Sequence, residues 1–511
     1  MKWSSHQAGW RLMLAVAVIF VMSTTAEAKD LYVAQAANGA GNGSSCSNAF
    51  AVSWFNSSGS WGNGSNQISP GDTVHLCGTI SSTLRVLSNG TAAAPIKILF
   101  EPNAKISMPV CNSICIDLTG RSYIEIDGGT NGIIENTANG TNFGNRVDVH
   151  GLSAERGSNL KIHGLTIRNL YQYVCCGNNS GGVGVYFYGG TNVDIYDNTF
   201  TGMWAGINFQ VGNGMVAQNN NIYNNTIGPD GSIGWGIVYA GGDGSARSTS
   251  ATIHDNDVTN GHNWATGSTN FFHLDPIHTW SGVGSGGTAL SGTLIYNNYI
   301  HGRFPDASVA NTTAGIYIDA NSGPNSGAIF NNVIVFDQGH PGDGAIFVNG
   351  PGTTLVANNT IDCKNNSGGI GSEYGQGGNL NIAYRNNIIM NCRSSALLRD
   401  NASGITFTSS RNNFYNNGTG IPSGDTGSIT ANPNLTSDYQ LQAGSPVIGI
   451  GENLTAQGIP ALNTSKPLKV GAGNLGAKGV QRPATGGWDL GAHGLAVPRP
   501  DPPTNLTILV Q

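Results

Sequence analysis

The chain has 511 residues, a formal net charge of −6 and only 10% charged side chains, against ~25% in an ordinary soluble domain. The acidic balance and the lack of Lys/Arg clusters exclude nucleic acid as a partner. Its 75 glycines suit a chain built from many tight turns rather than from long helices.

Residues 1–28 read as a secretory signal peptide. Lys2 and Arg11 make a positive start, Leu12 to Met22 is apolar, and Ala26-Glu27-Ala28 supplies small residues for cleavage. The apolar run is too short to favour a membrane span, and no later stretch approaches that length. The expectation is a secreted soluble protein, extracellular or periplasmic, and a monomer. Residues 29–80 read as an N-terminal cap with the first strands, Leu31-Tyr32-Val33 and, after the turn Pro70-Gly71-Asp72, Thr73-Val74-His75-Leu76.

Residues 81–430 carry a repeat. Looser coils around Ile96–Phe100 and Ile124–Gly128 become regular from Leu160, where Leu160–Ile167 aligns with Val193–Phe200. A phrase of Asn-Asn or Asp-Asn before two mostly β-branched or aromatic residues then recurs: 197–200, 224–227, 255–258, 297–300, 331–334, 358–361, 386–389 and 412–415. The second Asn of each phrase is spaced by 27, 31, 42, 34, 27, 28 and 26 residues. Such periods mean stacked units, and the strand-like alternation makes them all-β: a parallel β-helix, or solenoid. Asn suits the corner because it tolerates left-handed backbone, and its amide can donate to one neighbouring coil and accept from the other.

A second strand precedes each corner, and its period-2 alternation sorts the residues by face. Ile207, Ile237, Ile277, Ile316, Ile346 and Ile370 point inward. One outward column reads Tyr186, Asn208, Val238, His278, Tyr317, Phe347, Gly371; the other reads Tyr188, Gln210, Ala240, Trp280, Asp319, Asn349, Glu373. Arg399 is placed outward because burying its charge is costly. Residues 431–497 read as a closing segment and 498–511 as a Pro-rich tail. All eight Cys lie after the signal peptide, as befits an oxidising compartment. Cys363 and Cys392 fall at nearly equivalent places in adjacent coils, and Cys46 with Cys77 and Cys111 with Cys115 are the next pairs. Cys175-Cys176 are vicinal and pair poorly with each other.

Several motifs carry a resemblance. The Asn phrases, the entry Pro70-Gly71-Asp72-Thr73-Val74, the exit Asp438-Tyr439-Gln440-Leu441 with Gly444-Ser445-Pro446-Val447-Ile448, and Gln481-Arg482-Pro483 with Trp488-Asp489-Leu490-Gly491-Ala492 are similar to those of secreted proteins of the pectate-lyase-like superfamily. The resemblance covers most of residues 31–494 and implies a right-handed parallel β-helix. It leaves activity open among lyases, glycoside hydrolases and non-enzymes. The paired Asp-Asp and Arg-x-Lys strand of polygalacturonase-like hydrolases are absent. So is a Lys/Arg pair at the centre of the patch, where pectate and chondroitin-type lyases place their base. No catalytic residue carries over from either group.

The 42-residue step between Asn256 and Asn298 holds the most unusual stretch, Phe271 to Trp280. Its neighbours add Asn208, Gln210, Tyr317, Asp319, Asn349 and Glu373. Outward polar residues on a solenoid are ordinarily just solvated, but aromatics beside carboxylates, amides and His suit a polysaccharide. For β-elimination of an acidic polysaccharide, His278 would be the base and Tyr317 the proton donor, while His273, Asp275 and Asp319 could hold a cation, Ca²⁺ if carboxylates dominate. For inverting hydrolysis, Asp319 and Glu373 would be the two carboxylates. Substrate contacts would come from Asn208, Gln210, Trp280 and Asn349. His273, Asp275 and His278 as a transition-metal triad, and a non-catalytic adhesin, are further readings.

Overall fold

The computed structural model describes residues 27–495 apart from segments 139–148, 171–181, 213, 229–231, 242–246, 261–274, 282–287, 303–313, 321–324, 338, 340–343, 367, 374–378, 395, 400–403, 458–481 and 483–484. Residues 1–26 of the signal-peptide reading, His273, Cys175-Cys176 and the Pro-rich tail lie outside the described residues. The fold is a right-handed parallel β-helix: strands pair in parallel with their counterparts one coil away, forming sheets of 27 and 11 strands. The 11-stranded sheet runs from Leu84–Arg85 through Met203–Gln210, Ile277–Ser281 and Ile316–Ala320 to Leu397–Arg399. Rungs begin at Asp30–Ala34, which pairs with Thr73–Leu76, so the expected cap strands already belong to the stack.

The alternation is obeyed inside. Ile207, Ile237, Ile277, Ile316, Ile346 and Ile370 are all fully buried and pair with one another in register along one column. The glycines before them have a steric reason. A Cβ at Gly206 would lie 2.7 Å from the Gly236 carbonyl oxygen, and one at Gly236 would lie 2.4 Å from that of Pro276.

Two residues divide the work at the Asn corner. The first of each phrase takes the left-handed turn, from Asp197 (φ 55°) and Asn224 (53°) to Asn386 (58°). The second is buried and builds the ladder. Asn225 Oδ1 accepts the Asn198 backbone N–H (3.2 Å) and Nδ2 (3.1 Å), while its own Nδ2 donates to Ile195 O (2.9 Å) and Asn256 Oδ1 (3.0 Å). Two donors and two lone pairs are thus all used. The pattern repeats through Asn256, Asn298, Asn332, Asn359 and Asn387. The last rung corrects the reading of phrase 412–415. Arg411 takes the left-handed turn (φ 51°), so Asn412, not Asn413, is the ladder residue, 25 positions after Asn387. Ser409 and Ser428 cap it, accepting from Asn412 Nδ2 (3.0 Å) and N (2.7 Å).

Disulfides join Cys46–Cys77, Cys111–Cys115 and Cys363–Cys392. Arg399 has its backbone paired with Ser372, in line with buried Val348. That is the register of the core column, whereas the sequence reading placed Arg399 outward.

The closing segment packs on the outer face of the larger sheet. Tyr439, Leu441, Val447, Leu490 and Ala492 cover Val333, Val335, Ile388 and Met390, and Leu454 and Trp488 cover Tyr296 and Phe330. Arg482 is buried and reaches back to the helix, donating to Asn331 Oδ1 (2.8 Å) and to the carbonyls of Asp489 (2.9 Å) and Gly491 (2.8 Å). His493 is also buried, and neither ring nitrogen has a partner.

Two predictions follow from this packing. Asn332→Ala strips partners from Asn298 N–H and Nδ2, Ile295 O and Asn359 Oδ1. At ~1–3 kcal/mol per buried orphan it should cost at least ~3 kcal/mol in urea unfolding, against ~1–2 kcal/mol for Asn224→Ala, which adds only left-handed strain. The second concerns pH. Burial, reinforced by the Arg482 charge, lowers the His493 pKa from 6.5 to about 3. The unfolded chain therefore binds the proton first, and the stability present above pH 6.5 is lost as pH falls toward 3, by up to ~1.4 kcal/mol per pH unit. His493→Leu should flatten that part of the urea-midpoint profile relative to wild type.

Candidate functional site

Both outward columns keep the expected register. Asn208, Val238, His278, Tyr317, Phe347 and Gly371 pair in one line, and Ala240, Trp280, Asp319, Asn349 and Glu373 in the next. Gln210 pairs with Tyr188 in the second. The first column, however, is not solvated: Asn208 is 2% exposed and His278 and Tyr317 are 6% exposed. Period-2 alternation says which residues leave the core, not what lies against them. Here rings lie against rings. Trp204 packs on Trp235 (4.6 Å between centroids), Trp235 on His278 (5.5 Å), His278 on Tyr317 (4.9 Å) and Tyr317 on Phe347 (5.2 Å). In the second column Gln210, Trp280 and Asn349 are half-buried. Only the backbone pairing of Asp319 and Glu373 is described.

His278 is oriented by Asp275. The imidazole Nδ1–H donates to Asp275 Oδ2 at 2.7 Å, and the Ala314 backbone N–H donates to Asp275 Oδ1 at 2.9 Å. Asp275 is fully buried. Pro276 follows it and opens the strand Ile277–Ser281, so the chain turns between carboxylate and imidazole and lets residues three apart meet. A carboxylate can only accept, so this bond leaves Nε2 as the basic nitrogen when the ring is neutral. Asp275 thus orients His278 and accepts from the next coil. His273 lies outside the described residues.

A second polar cluster sits on the larger sheet, which the sequence reading did not single out. Glu125, Asp127 and His163 offer ligand atoms within 4.8 Å of one another. Lys97 is already there, 3.0 Å from Glu125 and 2.6 Å from Asp127. The hydrogen bond from His163, with help from Lys97, holds the Glu125 carboxyl down to about 2 against the effect of burial. An ammonium in place of a metal makes this an ion-pair network. The alternation Ile124-Glu125-Ile126-Asp127 beside Ile162-His163 was its signal, and it needed the coil register to be seen.

Neither a protein-family model nor any curated protein matches the sequence. Solved structures do. Pectate lyase Pel9A is similar at 16% identity and TM-score 0.44 over 92% of this chain and 97% of that one. GH136 lacto-N-biosidase from Eubacterium ramulus is similar at 13% and 0.46 over 79% and 67%. An alginate lyase from Paenibacillus sp. follows at 14% and 0.37 over 79% and 99%. The fold itself, a parallel β-helix, is read from the strand pairing. Likeness at this level says nothing about the reaction.

The chemistry has to come from the site itself. What the site offers is an imidazole held at Nδ1 by a buried carboxylate, with the Tyr317 ring packed on it. Asp275→Asn should keep an acceptor for Ala314 N–H but present an NH₂ group to His278 Nδ1. The expected outcome is loss of the downfield Nδ1–H proton signal of His278 in NMR, with unfolding shifted by less than in Asp275→Ala. Asp275→Ala should cost ~2–4 kcal/mol, since it removes a buried charged acceptor from two donors.

Proposed function

We propose that this protein cleaves an acidic polysaccharide by β-elimination, with His278 as the base. The hydrogen bond between Asp275 and His278 supports this reading most. In the reaction, His278 Nε2 takes the C5 proton beside the uronate carboxylate, the C–H electron pair becomes the C4=C5 double bond, and the C4–O bond breaks. Tyr317 returns a proton to the leaving oxygen. Half-buried Trp280 offers a ring to a sugar face, and Gln210 and Asn349, unlike the buried Asn208, are the amides along the same column for its hydroxyls. Asp319, together with His273 and Asp275, would hold a cation that screens the uronate, Ca²⁺ being the suitable class.

Inverting hydrolysis is the second reading. Asp319 and Glu373 stand two rungs apart, about 9.6 Å at sheet spacing, close to the upper end of the ~6.5–9.5 Å that inversion uses. Secretion, polysaccharide as partner and a monomeric state belong to the same proposal.

The test is a panel of uronate and neutral polysaccharides, followed by ultraviolet absorbance of the unsaturated product and by reducing ends. Elimination predicts both signals on a uronate polymer. His278→Ala should then lower the rate by ~10²–10⁴, while Asp319→Asn acts mainly on substrate affinity. Reducing ends without absorbance, lost in both Asp319→Asn and Glu373→Gln, would establish hydrolysis instead. No cleavage of any polymer by the folded protein would overturn the enzymatic reading.

A further inference from the structure

Behind the His278 strand the core of the solenoid changes character. The inward column that contains Phe187, Phe209 and Tyr239 reaches Thr279 at this coil, then Ile318 and Val348. On the facing wall another inward column reads Thr293, Gly327, Thr354. Thr279, Thr293 and Thr354 are at least 96% buried, and none of their three hydroxyls has a hydrogen-bond partner. Gly327 leaves room between the two threonines because no Cβ fits there: one would lie 2.5 Å from the Thr293 carbonyl oxygen. The result is a void of about 10 Å³, lined by the three threonines, Gly327, Ile295 and Ile318.

We infer that this void is a binding site for one buried water molecule, held by the hydroxyls of Thr279, Thr293 and Thr354. Three facts carry the inference. The volume is about that of one water-sized sphere, the smallest void that admits a water. The number of polar groups, three, matches what a buried water ordinarily bonds. A dry alternative leaves three hydroxyls desolvated without compensation in the middle of an apolar core, each at a cost. Purely apolar voids stay dry, but this one is polar on both walls.

The position gives the water a structural consequence. Thr279 lies between His278 and Trp280 on one strand, and Thr293 and Thr354 lie on the other sheet. A water bonded to both walls ties the strand that carries the candidate site to the opposite side of the solenoid. The inference stands whatever reaction the site performs.

A crystal structure of the full chain, at a resolution that orders solvent, tests it directly. The expected result is one fully occupied water within ~3.2 Å of at least two of the three Oγ1 atoms. Featureless density in the void, or threonine rotamers that turn all three hydroxyls onto backbone carbonyls, would overturn it. Water magnetic relaxation dispersion provides the second measurement. Wild type should show one more long-lived water than the Thr279→Val/Thr354→Val double variant. Equal numbers in two folded proteins would count against the site, and a variant that does not fold leaves the wild-type crystal structure to decide.

Discussion

The structure depends on one repeated hydrogen-bonding unit, the buried carboxamide of the corner asparagine. From Asn225 to Asn387, each one saturates its two donors and two lone pairs between the coil before it and the coil after it. Removing any of them strands groups on both neighbours, so the coils hold one another rather than standing independently. The ladder also makes the solenoid indifferent to loop length. The step from Asn256 to Asn298 spans 42 residues, yet its Nδ2–H···Oδ1 hydrogen bond is 3.0 Å, the same as that from Asn332 to Asn359. A long insertion can therefore stand beside the His278 strand without disturbing the pairing that places His278 next to Tyr317.

A parallel stack has two ends, and each exposes strand edges and unfinished ladders. The chain ends the ladder with hydroxyls, since Ser409 and Ser428 can accept from Asn412 without needing a further coil. It also folds its closing segment over the outer sheet face, where Trp488 and Leu454 cover the C-terminal end of a ring stack that begins at His163. That docking buries Arg482 with only carbonyl and amide acceptors and His493 with none. Both are electrostatically costly, so the segment is held by apolar area and by Arg482 hydrogen bonds against a local penalty.

What could be read from the sequence follows from which rules are local. Period-2 alternation placed every inner isoleucine and aligned both outward columns, because the side-chain direction of a strand is set by its own backbone. The Asn phrase located the corner but not which residue does what. In phrase 412–415 a pair of asparagines follows Arg411, and the left-handed turn falls on the arginine. Burial of the outward column was not legible, because ring packing between Trp235, His278, Tyr317 and Phe347 depends on what adjacent coils contribute. Asp275 was visible as an acidic residue three before His278. Its role needed the turn at Pro276 and the Ala314 N–H from the next coil. The Glu125–His163 cluster likewise needs the pairing of two coils to exist at all.

The coil of His278 is unusual on both faces at once, and this bears on why it is there. Moving along the outward columns, Val238 gives way to His278 and Ala240 to Trp280; along the inward column Tyr239 gives way to Thr279. An imidazole bonded to a fully buried carboxylate on one face, and the buried Thr279 hydroxyl on the other, concentrate desolvation costs at a single strand. Stability alone favours the opposite choice, since Val238 in the coil before His278 and Ile318 in the coil after Thr279 fill the same positions and need no such partners. Sequences that break local rules without structural gain tend to do so where chemistry is performed. On the proposed reading, the Asp275–His278 pair serves the task of the imidazole rather than the fold.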